Sequence, residues 1–201
     1  MAPLSFATLA GLPPEVARPA YDPSSVGTGI LHLGLGAFHR AHEAVYTDAV
    51  LAHDPRWGIC GVSLKTPRST APLAAQDGLY TVLTRAADGT MARVIGSLRE
   101  TVFAGADRAA LIARFADPRI AIVSLTVTEK GYCHDPATGR LDAGHPDIAH
   151  DLEAPQAPVS AATGLPSSAS SSSPHGMATR PAASSFATWA TVRLSRRSRT
   201  S

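Results

Sequence analysis

The 201 residues carry 18 Lys/Arg, 16 Asp/Glu and 8 His, with 44% hydrophobic, 17% charged and only 5% aromatic residues. That length suits one domain of ordinary size with an appendage, and not two full domains. No run is long and apolar enough to span a bilayer, and Met1 to Ala10 lacks the basic start and apolar stretch of a secretory leader. Two cysteines, Cys60 and Cys133, cannot build a disulfide framework, so a reducing compartment and a cytoplasmic protein are expected. The net charge of +2 hides a split. Residues 1–153 hold 13 Lys/Arg against all 16 Asp/Glu, a net −3, whereas 154–201 hold five arginines and no acid, a net +5. The body is mildly acidic, and neither nucleic acid nor membrane is expected as a partner.

Residues 1–28 form a proline-rich, irregular arm, with Pro13, Pro14, Pro19 and Pro23 excluding a long helix. Gly29 to Leu33 then gives a short apolar strand that ends at Gly34-Leu35-Gly36. From Phe38 the spacing turns helical and puts Phe38, Ala41, Val45 and Ala49 on one side. Trp57 to Leu64 reads as a second buried strand. Pro67 to Asp77 suits a short helix and loop. Gly78 to Thr84 alternates like a strand, Ala86 to Gly89 is a turn, and Met91 to Ile95 is its hairpin partner. Asp107 to Phe115 has helix formers behind an acidic start. Ile120 to Val127 is the most apolar run and predicts a central strand of a parallel sheet. Strand and helix alternate, which predicts an α/β domain over 29–161 with a mostly parallel sheet and the hairpin inserted.

After about Ala162 the chemistry changes. Residues 160–201 contain 12 serines, and neither helical nor strand periodicity survives. Such a segment buries too little apolar surface to offset its ordering entropy, so a disordered tail over 162–201 is expected. Its serines, alanines, prolines and arginines are what GC-rich codons give when read out of frame, and a frame change after Ala162 is the expected origin. Four arginines, Arg193, Arg196, Arg197 and Arg199, are alone in suggesting RNA or membrane contact there.

A strand followed by Gly-x-Gly and a helix is the start of a Rossmann-like dinucleotide-binding unit. Gly34 would permit the tight turn, and Gly36 would let a pyrophosphate approach the backbone. The third glycine of the usual fingerprint would fall where His39 stands. The ordinary alternative is a plain strand-to-helix turn. Metal ligation is a competing use of the histidines. His39 and His42 are three apart, and His145, Asp147, His150 and Asp151 cluster in sequence; no metal site is assigned to them. Cys60 and Cys133 read as small apolar residues.

The stretch Gly34-Leu35-Gly36-Ala37-Phe38-His39-Arg40-Ala41-His42 resembles the cofactor motif of the mannitol dehydrogenase family of polyol and sugar-acid dehydrogenases. Trp57 to Val62, Gln76 to Thr81, Ser124 to Cys133 and His150 to Leu152 match in the same order, so the resemblance covers about residues 19–161. The Thr126 to Tyr132 form and the Asp151 to Ala161 stretch look most like the fructuronate reductase branch. The resemblance implies a Rossmann domain that binds NAD, with Gly34, Gly36, Ala37, Phe38, His39, Arg40, Thr126 and Thr128 around the cofactor. It places Glu129 on the proton path beside the substrate. It also implies a catalytic lysine in a Lys-x-x-x-x-Asn-x-x-His motif, which these residues do not contain. The last lysine is Lys130, and the family's Ser-Cys-Asp-Asn segment is absent too. The chain is therefore expected to carry the cofactor-binding half and to be inactive alone, with sugar bound only alongside the catalytic domain. NAD-selective folds usually place an acid after the second strand. Here Lys65-Thr66-Pro67-Arg68 stands there without one, which leaves NADP open beside NAD.

Overall fold

The computed structural model describes residues 3–87, 89–127 and 132–153, together with the backbone of 188–193. Met1–Thr126 with Ala190–Ser201 form one compact unit, and Val127–Trp189 a second. The five-stranded sheet has the order β6-β3-β2-β7-β8. Its strands are β2 (Thr28–Leu33), β3 (Gly58–Ser63), β6 (Leu98–Phe103), β7 (Ile122–Val127) and β8 (Thr188–Arg193). The pairs β2–β3, β2–β7 and β3–β6 are all parallel. This is a Rossmann-type α/β fold in which the order reverses between β2 and β7.

Parallel strands need apolar residues on both faces, because helices cover both. Leu31, Leu33, Cys60, Val62, Ile120 and Val123 fill one face, where Leu111 and Phe115 of α4 (Arg108–Ala116) join them. Ile30, Ile59 and Leu98 fill the other, under Leu35, Ala44 and Leu73. Ala44 lies on α2 (Glu43–Leu51), which follows the short α1 (Ala37–Ala41), and Leu73 lies on α3 (Thr70–Ala74). Asp107 caps α4 by accepting from the Ala110 N–H at 2.7 Å, which satisfies one of the helix's free donors.

A separate three-stranded sheet, β1-β5-β4, carries the expected hairpin. Here β4 is Tyr80–Ala86 and β5 is Gly89–Ile95, paired in antiparallel register from Tyr80↔Ile95 to Ala86↔Gly89. The arm contributes β1, only Val16–Ala17, parallel to β5. In the second unit α5 (Pro146–Glu153) buries Ile148 and Asp151. Cys133 is buried there with φ +47°.

Three features differ from the sequence reading. The helix after the glycine turn breaks at His42, whose φ of −126° and ψ of −85° split it into α1 and α2. The buried face of α2 is Ala44, Thr47, Asp48 and Leu51, while Ala41 and Ala49 are exposed. The break resets the helical phase, and buried Asp48 is satisfied by the Tyr21 hydroxyl, Arg93 (2.6 Å) and the Gly96 N–H (2.8 Å). Second, β6 was not foreseen. It is partly exposed along most of its length and includes Arg99 and Glu100, so it lacks the continuous apolar run of a two-sided strand. Third, the tail provides β8 next to β7. Thr188, Thr191 and Val192 are β-branched and suit a strand. The rest of the expected disordered segment lies outside the described residues.

Candidate functional site

The glycine turn sits at the C-terminal end of β2, beside the point where strand order reverses, which is where open α/β sheets bind ligands. Gly34 has φ +102°, and a Cβ there would come within 2.7 Å of the Thr126 carbonyl oxygen on β7. Only glycine fits that backbone without strain. The Gly34 and Leu35 N–H groups both donate to the Val62 carbonyl, at 2.9 and 3.0 Å, which draws the turn over β3. Leu35 then seats on Gly61. A side chain at that glycine would meet Leu35 Cδ1 at 2.8 Å, so its absence makes room for the turn.

Gly36 presents the opposite situation. A Cβ there would find nothing nearer than 3.8 Å, and both Gly36 and Ala37 are exposed. The residue before α1 thus offers open backbone, and the first N–H groups of the helix have no partner one turn earlier. Such a cradle fits a phosphate. Phe38 is half-buried and stacks on His42, with ring centroids 4.3 Å apart. Arg40 reaches back to the Leu35 carbonyl at 3.1 Å, and its own carbonyl accepts from the Tyr80 hydroxyl at 2.6 Å. Arg40 therefore braces the turn, and burial raises the Tyr80 phenol above its ordinary range.

His39 enters this site from beneath. It is fully buried, and its ring stacks on His32 of β2 with centroids 3.7 Å apart and planes 16° from parallel. Burial, then His32 and Arg40, hold its pKa down to about 2, so the ring is neutral. His32 is equally buried. Its Nδ1 is 2.8 Å from Ser124 Oγ and 3.0 Å from Glu43 Oε2, and its Nε2 is 2.8 Å from Thr126 Oγ1. Ser124 donates to Glu43 Oε1 at 2.8 Å. Five polar side chains thus form one network across β2, β7, α1 and α2.

Of the residues expected at the cofactor, Gly34, Gly36, Ala37, Phe38, His39, Arg40 and Thr126 come together at this turn. Thr128 and Glu129 lie outside the described residues. Lys65 and Arg68 are exposed just after β3, and no acid stands with them. Sequence reasoning missed His32, Glu43, Ser124, Leu35 and Gly61. A signal existed for two of them, since His32 interrupts the apolar run of β2 and Ser124, with Thr126, interrupts that of β7. Their pairing in register, His32↔Ser124, is visible only in the folded chain.

Among the described residues, the two groupings weighed as metal ligands do not converge. His42 is exposed and bonds the Phe38 carbonyl through Nδ1 at 2.8 Å. In the second unit, His145 Nδ1 accepts from the Asp147 N–H at 3.2 Å, while His150 lies 3.3 Å from Asp151. Among the described residues, His32, His39 and Glu43 do bring ligand-type atoms within 4.8 Å of one another. Their geometry opposes an ion. Two nearly parallel stacked imidazoles aim their lone pairs alongside each other, and both nitrogens of His32 already have oxygen partners. Cys60 is buried, and burial raises its thiol to about 12, so it is an inert apolar group. A concavity of about 380 Å³, bordered by Phe6, Asp77, Arg99 and Thr101 among others, includes none of the turn's residues.

The description of the mannitol dehydrogenase Rossmann domain matches residues 28–178. Over 151 residues, 73% of this chain, the sequence is 48% identical to the D-mannonate oxidoreductase of Escherichia coli (strain K12), of which it covers 31%. Over 139 residues, 67% of the chain, it is 48% identical to the mannitol 2-dehydrogenase of Pyricularia oryzae (strain 70-15), covering 28% of that protein. The solved Pseudomonas fluorescens mannitol 2-dehydrogenase, a ternary complex with NAD and D-mannitol, aligns with a TM-score of 0.69 and 43% identity. That alignment covers 80% of this chain and 34% of the other. The chain thus spans about a third of the length of the curated relatives it matches. Among the described residues, no helix is long and apolar enough to cross a membrane. With its parallel sheet, its glycine turn at the strand switch and this matched sequence, the chain belongs to the mannitol dehydrogenase family, as its Rossmann domain.

Proposed function

We propose that this chain holds the nicotinamide dinucleotide in a cytoplasmic oxidoreductase. The reaction interconverts a keto-sugar or keto-sugar acid with its alcohol: fructuronate with mannonate, or fructose with mannitol. The observation that carries this reading is the open Gly36 backbone, held in place by Gly34 and Leu35 at the point where the sheet reverses order. Similarity to D-mannonate oxidoreductase and mannitol 2-dehydrogenase supports the substrate class. The Thr126 to Tyr132 form favours the sugar acid.

When bound, the dinucleotide carries the hydride that reduces the ketone. The chain's own part is to bind and orient it. The Gly36 N–H is bonded to the Gly34 carbonyl at 2.6 Å. The open side of Gly36 therefore gives the pyrophosphate a close approach to the N–H groups of the helix that starts at Ala37, with Arg40 adding positive charge and Phe38 lying beside them. Thr126 lies where β7 ends; Thr128 adds a contact to the cofactor, and Glu129 relays the alcohol proton. Lys65 and Arg68, with no acid at their side, admit a 2′-phosphate, so NAD is bound and NADP is accepted. The family's Lys-x-x-x-x-Asn-x-x-His motif does not occur here, so these 201 residues bind cofactor without turning over sugar.

NADH and NADPH titrated into the purified chain, followed by nicotinamide fluorescence, test the proposal. Saturable binding that disappears in Gly36→Asp is the expected result. A folded chain that binds neither nucleotide overturns it. The open space around Gly36 means that the variant is not expected to disturb the fold.

A further inference from the structure

We propose that Glu43 and His32 are positioning residues for the dinucleotide turn, through the stack of His32 on His39. The inference rests on the cofactor reading above and assigns work to side chains that do not touch the turn's open side. Donor and acceptor counting orders the network. The Glu43 carboxylate only accepts, so Ser124 spends its single proton on Oε1. Ser124 Oγ then accepts from His32 Nδ1–H, which also lies 3.0 Å from Glu43 Oε2, and Nε2 pairs with the Thr126 hydroxyl at 2.8 Å. Both edges of the imidazole are fixed, and so is the plane of its ring.

That plane is the platform for His39, 3.7 Å above it. His39 belongs to α1, which has only five residues and no side-chain cap, and which breaks at His42. So short a helix does not hold its own direction. Its direction is set by what its side chains touch: His39 on His32 below, and Arg40 on Leu35 above. Glu43, the first residue of α2, has its side chain only 16% exposed, with Oε2 3.9 Å from His39 Nε2. It ties the restart of the helix to the same ring that holds the helix's beginning. A carboxylate so largely withdrawn from water is costly to retain for packing alone.

The test uses the 201-residue chain, NADH titration by nicotinamide fluorescence, and thermal unfolding by circular dichroism. Glu43→Ala is expected to weaken NADH binding by roughly tenfold while the chain stays folded at the assay temperature. Glu43→Gln sets an N–H donor against either His32 Nδ1–H or the Ser124 hydroxyl, and is expected to weaken NADH binding in the same direction as Glu43→Ala. Ser124→Ala, which deletes only a hydroxyl, is expected to weaken binding in the same direction and serves if Glu43→Ala unfolds. Parent-like binding by both Glu43→Ala and Ser124→Ala overturns the inference. So does a loss that only tracks the unfolded fraction. Tighter binding in Glu43→Gln would make the carboxylate merely a charge opposed to the pyrophosphate. A folded parent chain that binds no NADH overturns the cofactor reading and this inference with it.

Discussion

The two faces of β2 are built from alternate residues of one six-residue strand, and they solve burial differently. Leu31 and Leu33 face an apolar layer with Cys60, Val62 and Val123. Ile30 faces an apolar layer too, but two residues later His32 stands fully buried in a polar network. The apolar face needs only volume, so many side chains of similar size would serve there. The polar end of the other face needs particular donors opposite particular acceptors, and it lies directly beneath the glycine turn. The difference teaches where the chain has spent specificity: at the C-terminal end of β2 and β7.

The largest effects should fall on the apolar face and on the turn's backbone. Leu31→Ala leaves a cavity in a closed layer and is expected to cost about 3 kcal/mol in chemical denaturation. NADH affinity per folded molecule should stay unchanged; a lowered affinity would break the division between the faces. Gly34→Ala places a Cβ within 2.7 Å of the Thr126 oxygen at a φ of +102°. It is expected to cost on the order of 3 kcal/mol and to abolish cofactor binding as well, because strain enters at the turn itself.

On the polar side the expected losses in stability are smaller. Ser124→Ala removes the donor to Glu43 and the partner of His32 Nδ1, which should cost about 2 kcal/mol in the same unfolding experiment. Acid acts on this face as well. The His39 pKa is held down to about 2 by burial, His32 and Arg40. The unfolded chain takes up a proton near the ordinary histidine pKa and the folded chain does not. Stability from this group is therefore fully present above about pH 6.5 and is lost as pH falls toward 2. The slope approaches about 1.4 kcal/mol per pH unit. Unfolding of the parent chain and of His39→Phe between pH 7 and 5 should show a flatter dependence in the variant. Equal slopes would sink this assignment. The smallest effect is expected for Tyr80→Phe, which deletes the 2.6 Å bond to the Arg40 carbonyl. It should cost about 1 kcal/mol.

The sequence by itself determined the class of fold, because strand–glycine turn–helix and the run Ile120 to Val127 are local patterns with local causes. Gly34 was legible as the residue of a tight turn, and its positive φ bears that out. The hairpin from Tyr80 to Ile95 was legible from alternation about a turn, and Asp107 from its place ahead of an apolar helix. The relations between distant segments came only with the folded chain. β6 was hidden because a strand with partly exposed faces carries no continuous apolar signal. The buried face of α2 was misread because a break at His42 shifts helical phase, and because Asp48 is buried on partners from the arm and from the β5–β6 connection. Ser124 lies 92 residues from His32 in the chain, and no local pattern says that two polar residues in two apolar strands will meet. The physical reason is the same throughout. Periodicity reports which side of an element is apolar, but the partner that satisfies a buried polar group comes from strand order and register.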